Sequence, residues 1–250
     1  MSIIKEIIHS ESSEWIRKQA FASLEGRAKH CAMNAWRYLL YADLIADTAP
    51  TVSLFCATHA TEEAVAAFIS SAKSNGYAAE AKNLNIHDHF VKTLLSVFAR
   101  AVSKHVEEIE LAFALHPDHD RLYARIDGGN GLEIHPLSLS LISYNPDTAD
   151  TSWGRALEVF ASEFADERAM LAAIKEQSNL RNNAIYASSA GIPAISDEEL
   201  RRGLKENACI TIGLVWAALD MAQHGNQRVA FIVQALGAAL RIAERAAAKK

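Results

Sequence analysis

The stretch LFCATHATEEAVAAFIS (Leu54–Ser70) decides how the chain folds and poses its chemical question. It is built largely of helix formers, and Leu54, Thr58, Val65 and Phe68 or Ile69 fall on one side of a helix. Phe55, His59, Glu62, Glu63 and Ala66 trace a second stripe, spaced by three or four, so His59 can meet either carboxylate on its own helix. An imidazole and two adjacent carboxylates on so apolar a helix are either a solvated or internally paired stripe between packed helices, or part of a site. A nearby carboxylate favours the imidazolium and burial disfavours it, so the residues leave the protonation of His59 open.

Outward from this helix the same period continues. In AKHCAMNAWRYLLYADLIAD, Met33, Trp36, Leu40 and Leu44 recur at helical intervals. Pro50 then marks a break before a helix predicted over 52–73, which ends near Gly76. The next helix is predicted to start near Asn85, a capping residue, with Phe90, Leu94, Val97, Ala101 and Ile109 on its buried side. Between Pro117 and Pro146 the texture changes: RLYARIDGGNGLEIHPLSLSLISY places β-prone runs on both sides of a glycine-rich turn. That predicts a small irregular or β-hairpin insertion over 115–150, with the His135-Pro136 step suited to an edge strand. Helix resumes after Ser152 and closes at Gly191 and Pro193; Ser196–Glu199 (SDEE) is a capping box for the next helix, and a last helix covers 227–248. The expectation is all-α: a bundle of five to seven helices with one insertion, forming a single domain over 1–250.

Bulk properties narrow the class. The chain has 250 residues, half of them hydrophobic, which suffices for a sizeable core. Thirty Asp and Glu against twenty-five Lys and Arg give a net charge of −5, so there is no chain-wide nucleic-acid footprint, although a local basic patch is compatible with it. Cys31, Cys56 and Cys209 are odd in number and lie in helix-like apolar segments, as reduced core thiols would. The N-terminal residues carry no secretory signal, and Ala208–Leu219, the most apolar run, is too short to span a bilayer before Asp220. These features point to a cytoplasmic protein that does not enter the membrane.

Common catalytic signatures are missing. There is no Gly-x-Ser-x-Gly, Walker-type or Gly-x-Gly-x-x-Gly motif, and no cofactor is implied. Metal binding has little to build on. Di-iron bundles use Glu-x-x-His with Glu first, whereas His59 precedes Glu62 and the forward match Glu6–His9 sits near the terminus. His87 and His89 would point to different sides of a helix, and His116–Asp120 (HPDHD) reads equally as polar turn chemistry. The other unusual segment, NLRNNAIYASSAG (Asn179–Gly191), is rich in donors. In it Arg181 could clamp a phosphate in bidentate fashion, Asn182 or Asn183 could hydrogen-bond a leaving group, and Tyr186 could donate a proton. The alternative is a helix C-terminus whose Asn and Ser residues satisfy loose backbone groups.

Taken in order, NAWRYLLYADLIA, FCATHATEEAVAAF, HDHFVKTLL and LRNNAIYASSAGIP resemble the AbiV-type abortive infection proteins, within the HEPN helical superfamily. The resemblance covers about 30–75, 85–95 and 178–194, and falls on Asn34, Asp43, Glu62, Glu63, His89, Lys92, Arg181, Asn182 and Tyr186. It implies a HEPN-like helical bundle, a homodimer, and a role in phage defence. It also implies metal-independent RNA cleavage, in which an Arg and a His a few residues downstream act across the dimer interface while the 2′-OH attacks the adjacent phosphate. This chain departs from that pattern: Ile185, Tyr186 and Ala187 follow Arg181, so Tyr186 stands where the His would be. A phenol with a pKa near about 10 is a poor base at neutral pH, leaving His59 or His89 to supply the imidazole.

Three readings therefore stand, the last a small-molecule or metal site around His59, Glu62 and Glu63. In the first, Arg181, Asn182 and Tyr186 act in an endoribonuclease, and Asn34, His59, Glu62, Glu63, His89 and Lys92 form a polar cluster that binds or positions. In the second, the chain is a non-catalytic interaction protein that recognises a phage or host protein, and the cluster is structural.

Overall fold

The computed structural model describes residues 4–108, 112–127, 132–142, 169–175, 195–225 and 227–248. Within them the chain forms α1 (Lys5–Ile8), α2 (Glu11–Ser23), α3 (Gly26–Ile45), α4 (Pro50–Ser74), α5 (Ala78–Ala81) and α6 (His89–Glu108). Three strands follow, β1 (Ala112–Leu115), β2 (Leu122–Asp127) and β3 (Leu132–Pro136), then α7 (Leu139–Ile142), α8 (Asp197–Gln223) and α9 (Ala230–Ala248). Residues 169–175 are also helical. Six of the described helices (α2, α3, α4, α6, α8 and α9) are 13 to 27 residues long, and α1, α5 and α7 are single turns, so the described residues are mostly helical with one small sheet.

The opening stretch becomes α4, the central helix. Pro50 occupies its first turn, where a missing N–H costs nothing, and Gly76 turns the chain away at φ +87°, a left-handed conformation natural to glycine. Ala57, Ala60, Ala64 and Ala67 are fully buried, as are Val65 and Ile69. A helix covered on nearly every side needs short side chains where its neighbours approach, and alanine supplies them at no loss of helix propensity. α3 packs along one flank and α8 along another, with α6 and α5 completing the cover. Gly203 on α8 serves the same end: a Cβ there would meet Leu54 Cδ1 at 2.7 Å.

Polar bonds sew the central helix to its neighbours. Ser53 Oγ donates to the Ala42 carbonyl on α3 at 2.6 Å, and Ser71 Oγ to the Ala218 carbonyl on α8 at 2.7 Å. Thr61 Oγ1 donates to Asn207 Oδ1 at 2.9 Å, and the Asn207 amide donates to the Gly203 carbonyl. Each buried polar atom in this network has a partner, as burial requires. α8 opens on the predicted capping box, with Ser196 and Glu199 each holding the other's amide.

The insertion is larger than a hairpin. β1, β2 and β3 form an antiparallel sheet in that order, with Leu115 opposite Leu122 and Tyr123 opposite Pro136. β3 pairs with β2 and lies at the sheet's edge, where Pro136 costs no ladder bond. One other expectation is corrected, the start of the helix after Asn85. α6 begins at His89 rather than Asn85, because the Asp88 carboxylate takes the Phe90 amide at 2.9 Å while Asn85 caps the preceding turn through the His87 amide. On α3 the buried face is Ala28, Ala32, Ala35, Trp36, Leu39 and Ala42, while Met33, Leu40 and Leu44 are exposed. Of the cysteines, Cys56 is in the core, Cys31 is half-buried and Cys209 is exposed. Ile109 lies outside the described residues.

Asp220 joins α8 to α7. It is buried, accepts the Leu139 amide at 3.2 Å, and lies 3.2 Å from His224 Nδ1. Burial raises its carboxyl above the ordinary value, against the opposing pull of the Leu139 amide and His224. The folded state thus holds this proton more tightly than the unfolded chain. The stability it contributes is present below the unfolded pKa and is lost as pH rises through the folded one. Asp220→Asn is expected to gain stability relative to the parent as pH rises from acid to neutral, read from urea midpoints across pH. A gap that stays constant with pH would contradict this.

Candidate functional site

Three helices present their polar residues to one another. α3 supplies Asn34, α4 supplies His59, Glu62 and Glu63, and α6 supplies His89 and Lys92. Asn34 Nδ2 donates to Glu63 Oε2 at 2.9 Å, and Lys92 Nζ lies 3.4 Å from Glu63 Oε1. The Asn34 carbonyl oxygen accepts from Arg37. Both Lys92 and Glu62 are buried. Glu63 thus shares its two oxygens between an amide and a buried ammonium, and Asn34 relays the charge out to Arg37. Lys92 sits one turn into α6 because Asp88 caps the first turn and fixes where the helix starts.

Glu62 faces the histidines. Its oxygens lie 3.2 and 3.3 Å from His89 Nδ1, and 3.7 Å from His59 Nδ1, the latter beyond hydrogen-bond reach. His59 is held by rings instead. Tyr38 meets its imidazole edge-on at 4.4 Å between centroids, Phe55 stacks at 6.1 Å, and Nδ1 is buried with no hydrogen bond among the described residues. The His89 side chain is about half exposed, at 48%. The Glu62 carboxylate orients the His89 ring through Nδ1. A buried carboxylate orienting an accessible imidazole in this way is the arrangement of a general base or acid.

The sequence-predicted residues therefore divide. Asn34, Glu62, Glu63, His89 and Lys92 converge on one cluster; His59 adjoins it through aromatic packing. Arg181, Asn182 and Tyr186 lie outside the described residues. So does the Asn179–Gly191 segment as a whole. Asp43, the remaining described residue of the resemblance, stands apart, with its carboxyl raised by burial. In the HPDHD loop, Asp120 accepts from Trp15 Nε1 at 2.6 Å and from Gln19, both on α2, and His116 Nδ1 accepts the Asp118 amide. Among the described residues no group of three or more His, Cys, Asp or Glu is arranged to hold a metal ion. No helix among them is long and apolar enough to cross a membrane.

Sequence reasoning missed what adjoins the cluster. On its Glu63–Lys92 flank opens a cleft of about 980 Å³, lined by Arg17, Arg27, Arg37 and Trp36 among others. Cys31 lines it too, its thiol pushed up by burial and by Glu63. The signal was available: Gly26–Ala42 carries Arg27, Lys29, His30 and Arg37 without one acidic residue, in a chain where acids are in excess. Comparison of the chain with protein-family models, with curated proteins and with solved structures finds no match.

Proposed function

We propose that this is an AbiV-like phage-defence protein of HEPN type, acting as a homodimeric, metal-independent endoribonuclease. The observation that carries the reading is the convergence of Asn34, Glu62, Glu63, His89 and Lys92, drawn from three separate segments of the resemblance, into one cluster that ends in an accessible imidazole. In this reading Arg181 steadies the phosphate. His89, oriented by Glu62, moves the proton that Tyr186 is poorly suited to take at neutral pH. Glu63, Asn34 and Lys92 hold α3, α4 and α6 in register around it.

The test is incubation of the purified chain with total RNA in chelator, beside His89→Ala and Arg181→Ala. The parent is expected to cut RNA, leaving cyclic phosphate ends, and each variant to lose about 10²–10⁴-fold of that rate, the usual weight of an acid–base group. An inert parent, or variants as active as the parent, would remove the nuclease reading.

A second reading has its own support. Met33, Leu40, Tyr41 and Leu44 form an exposed apolar row along α3, with Val52 also exposed on α4. Such a row suits protein recognition, and RNA-inert protein whose mass in solution is that of one chain would favour it.

A further inference from the structure

The large cleft has a neighbour. A second cleft, of about 470 Å³, adjoins it and shares Arg27, Ile86 and His87 with it. The larger lies at the upper end of the roughly 300–1,000 Å³ typical of small-molecule sites. Their walls differ in kind. The larger has an apolar floor of Phe21, Met33, Trp36 and Leu40 beneath its arginines. The smaller sets Arg27, Lys73 and Lys82 among Ser70, Asn83 and Asn85, with no carboxylate among the described residues of its lining. Among the described residues six Lys or Arg side chains line the two clefts against one carboxylate, Glu63; Lys92 is paired with it and Arg17 with Glu14, which leaves Arg27, Arg37, Lys73 and Lys82 to face a ligand. On a chain with thirty acids to twenty-five bases, this reverses the overall balance. Cations gathered on a concave wall focus a field that draws anions in.

We infer that the paired clefts bind a phosphate ester whose other half is flat and apolar. Its phosphates lie between Arg27, Lys73 and Lys82, where the arginine fork can engage two oxygens and the ammonium groups add point charges. Its flat half lies against Met33 and Leu40, the exposed apolar residues of the larger cleft. Arg27, at the junction, reaches both halves. A phosphate monoester carries nearly two charges at neutral pH, which suits three converging cations better than a single carboxylate would. The inference goes beyond the nuclease reading and stands without it: Asn34, Glu63 and Lys92 line the larger cleft, but His59, Glu62 and His89 line neither.

Titration calorimetry on the whole chain tests this, with ADP, GDP, adenosine, pyrophosphate and a short single-stranded oligonucleotide as separate probes. ADP or GDP is expected to bind at least about tenfold tighter than adenosine or pyrophosphate, because one ligand then occupies both clefts. Arg27→Glu is expected to weaken that binding by about tenfold or more, the worth of one charge-assisted pair. Arg241→Glu, on α9, is expected to leave it unchanged. Arg27 and Arg241 are exposed, so both variants keep the fold, which circular dichroism verifies. The inference is overturned if neither nucleotide binds at millimolar concentration, or if Arg27→Glu binds as the parent does. An oligonucleotide held more tightly than either nucleotide would also overturn it, making the clefts a strand groove instead.

Discussion

Glu63→Ala is expected to destabilise the protein by about 3 kcal/mol, the lower end of the cost of breaking a buried ion pair by removing one partner. The Lys92 and Glu63 side chains are 8% and 17% exposed, so the alanine variant leaves an ammonium largely out of water with its counter-charge gone. Asn34 loses its acceptor in the same step. Because a buried pair stabilises little in net terms, replacing both members is gentler than replacing one. Glu63→Leu combined with Lys92→Met is expected to recover most of the loss, giving a clear coupling energy in a double-mutant cycle. Urea midpoints of the four proteins measure it. A double variant as unstable as the sum of its singles would show that the two groups do not depend on each other.

Trp36→Ala is expected to cost about 3–5 kcal/mol, the range for deleting a buried indole or phenyl ring from a core. Trp36 is 2% exposed and stands among the alanines of α3 that face the central helix. Alanines cannot close over the gap, since their neighbours are already as small as side chains come. The loss is a large share of the roughly 5–15 kcal/mol that holds a domain folded. Trp36 also forms part of the larger cleft, so the variant is expected to weaken nucleotide binding as well as stability. A shift in midpoint of less than about 1 kcal/mol would place the ring in a site able to collapse.

What the sequence disclosed follows the range of the interactions. The capping box at Ser196, Pro50 at the start of α4 and Gly76 after it are settled within a few residues, and each was legible. The buried face of α3 was not. Large apolar residues recur at 33, 36, 40 and 44, but the interior is taken by Trp36, Leu39 and the alanines between them, while Met33, Leu40 and Leu44 are exposed. β1 was hidden for a similar reason: AFAL reads on from the helix before it, and its pairing with β2 depends on residues across a turn. In the site, helical spacing alone joined His59 to its two glutamates. That Asn34 and Lys92 would meet Glu63 from two other helices came from the resemblance, since tertiary convergence leaves no periodic trace. The cleft cations come from α2, α3, α4, α6 and the 82–87 turn, too dispersed for any local pattern to reveal.

The placement of α4 has a consequence for how the chain acquires its structure. Thr61 bonds to Asn207 and Ser71 to Ala218, partners separated by 146 and 147 positions. During synthesis the central helix emerges early but lacks the partner that covers it until α8 has followed. Closing so long a loop is slow compared with forming any single helix. For that interval the faces of α3 and α4 that α8 later covers stay open to water or to other chains.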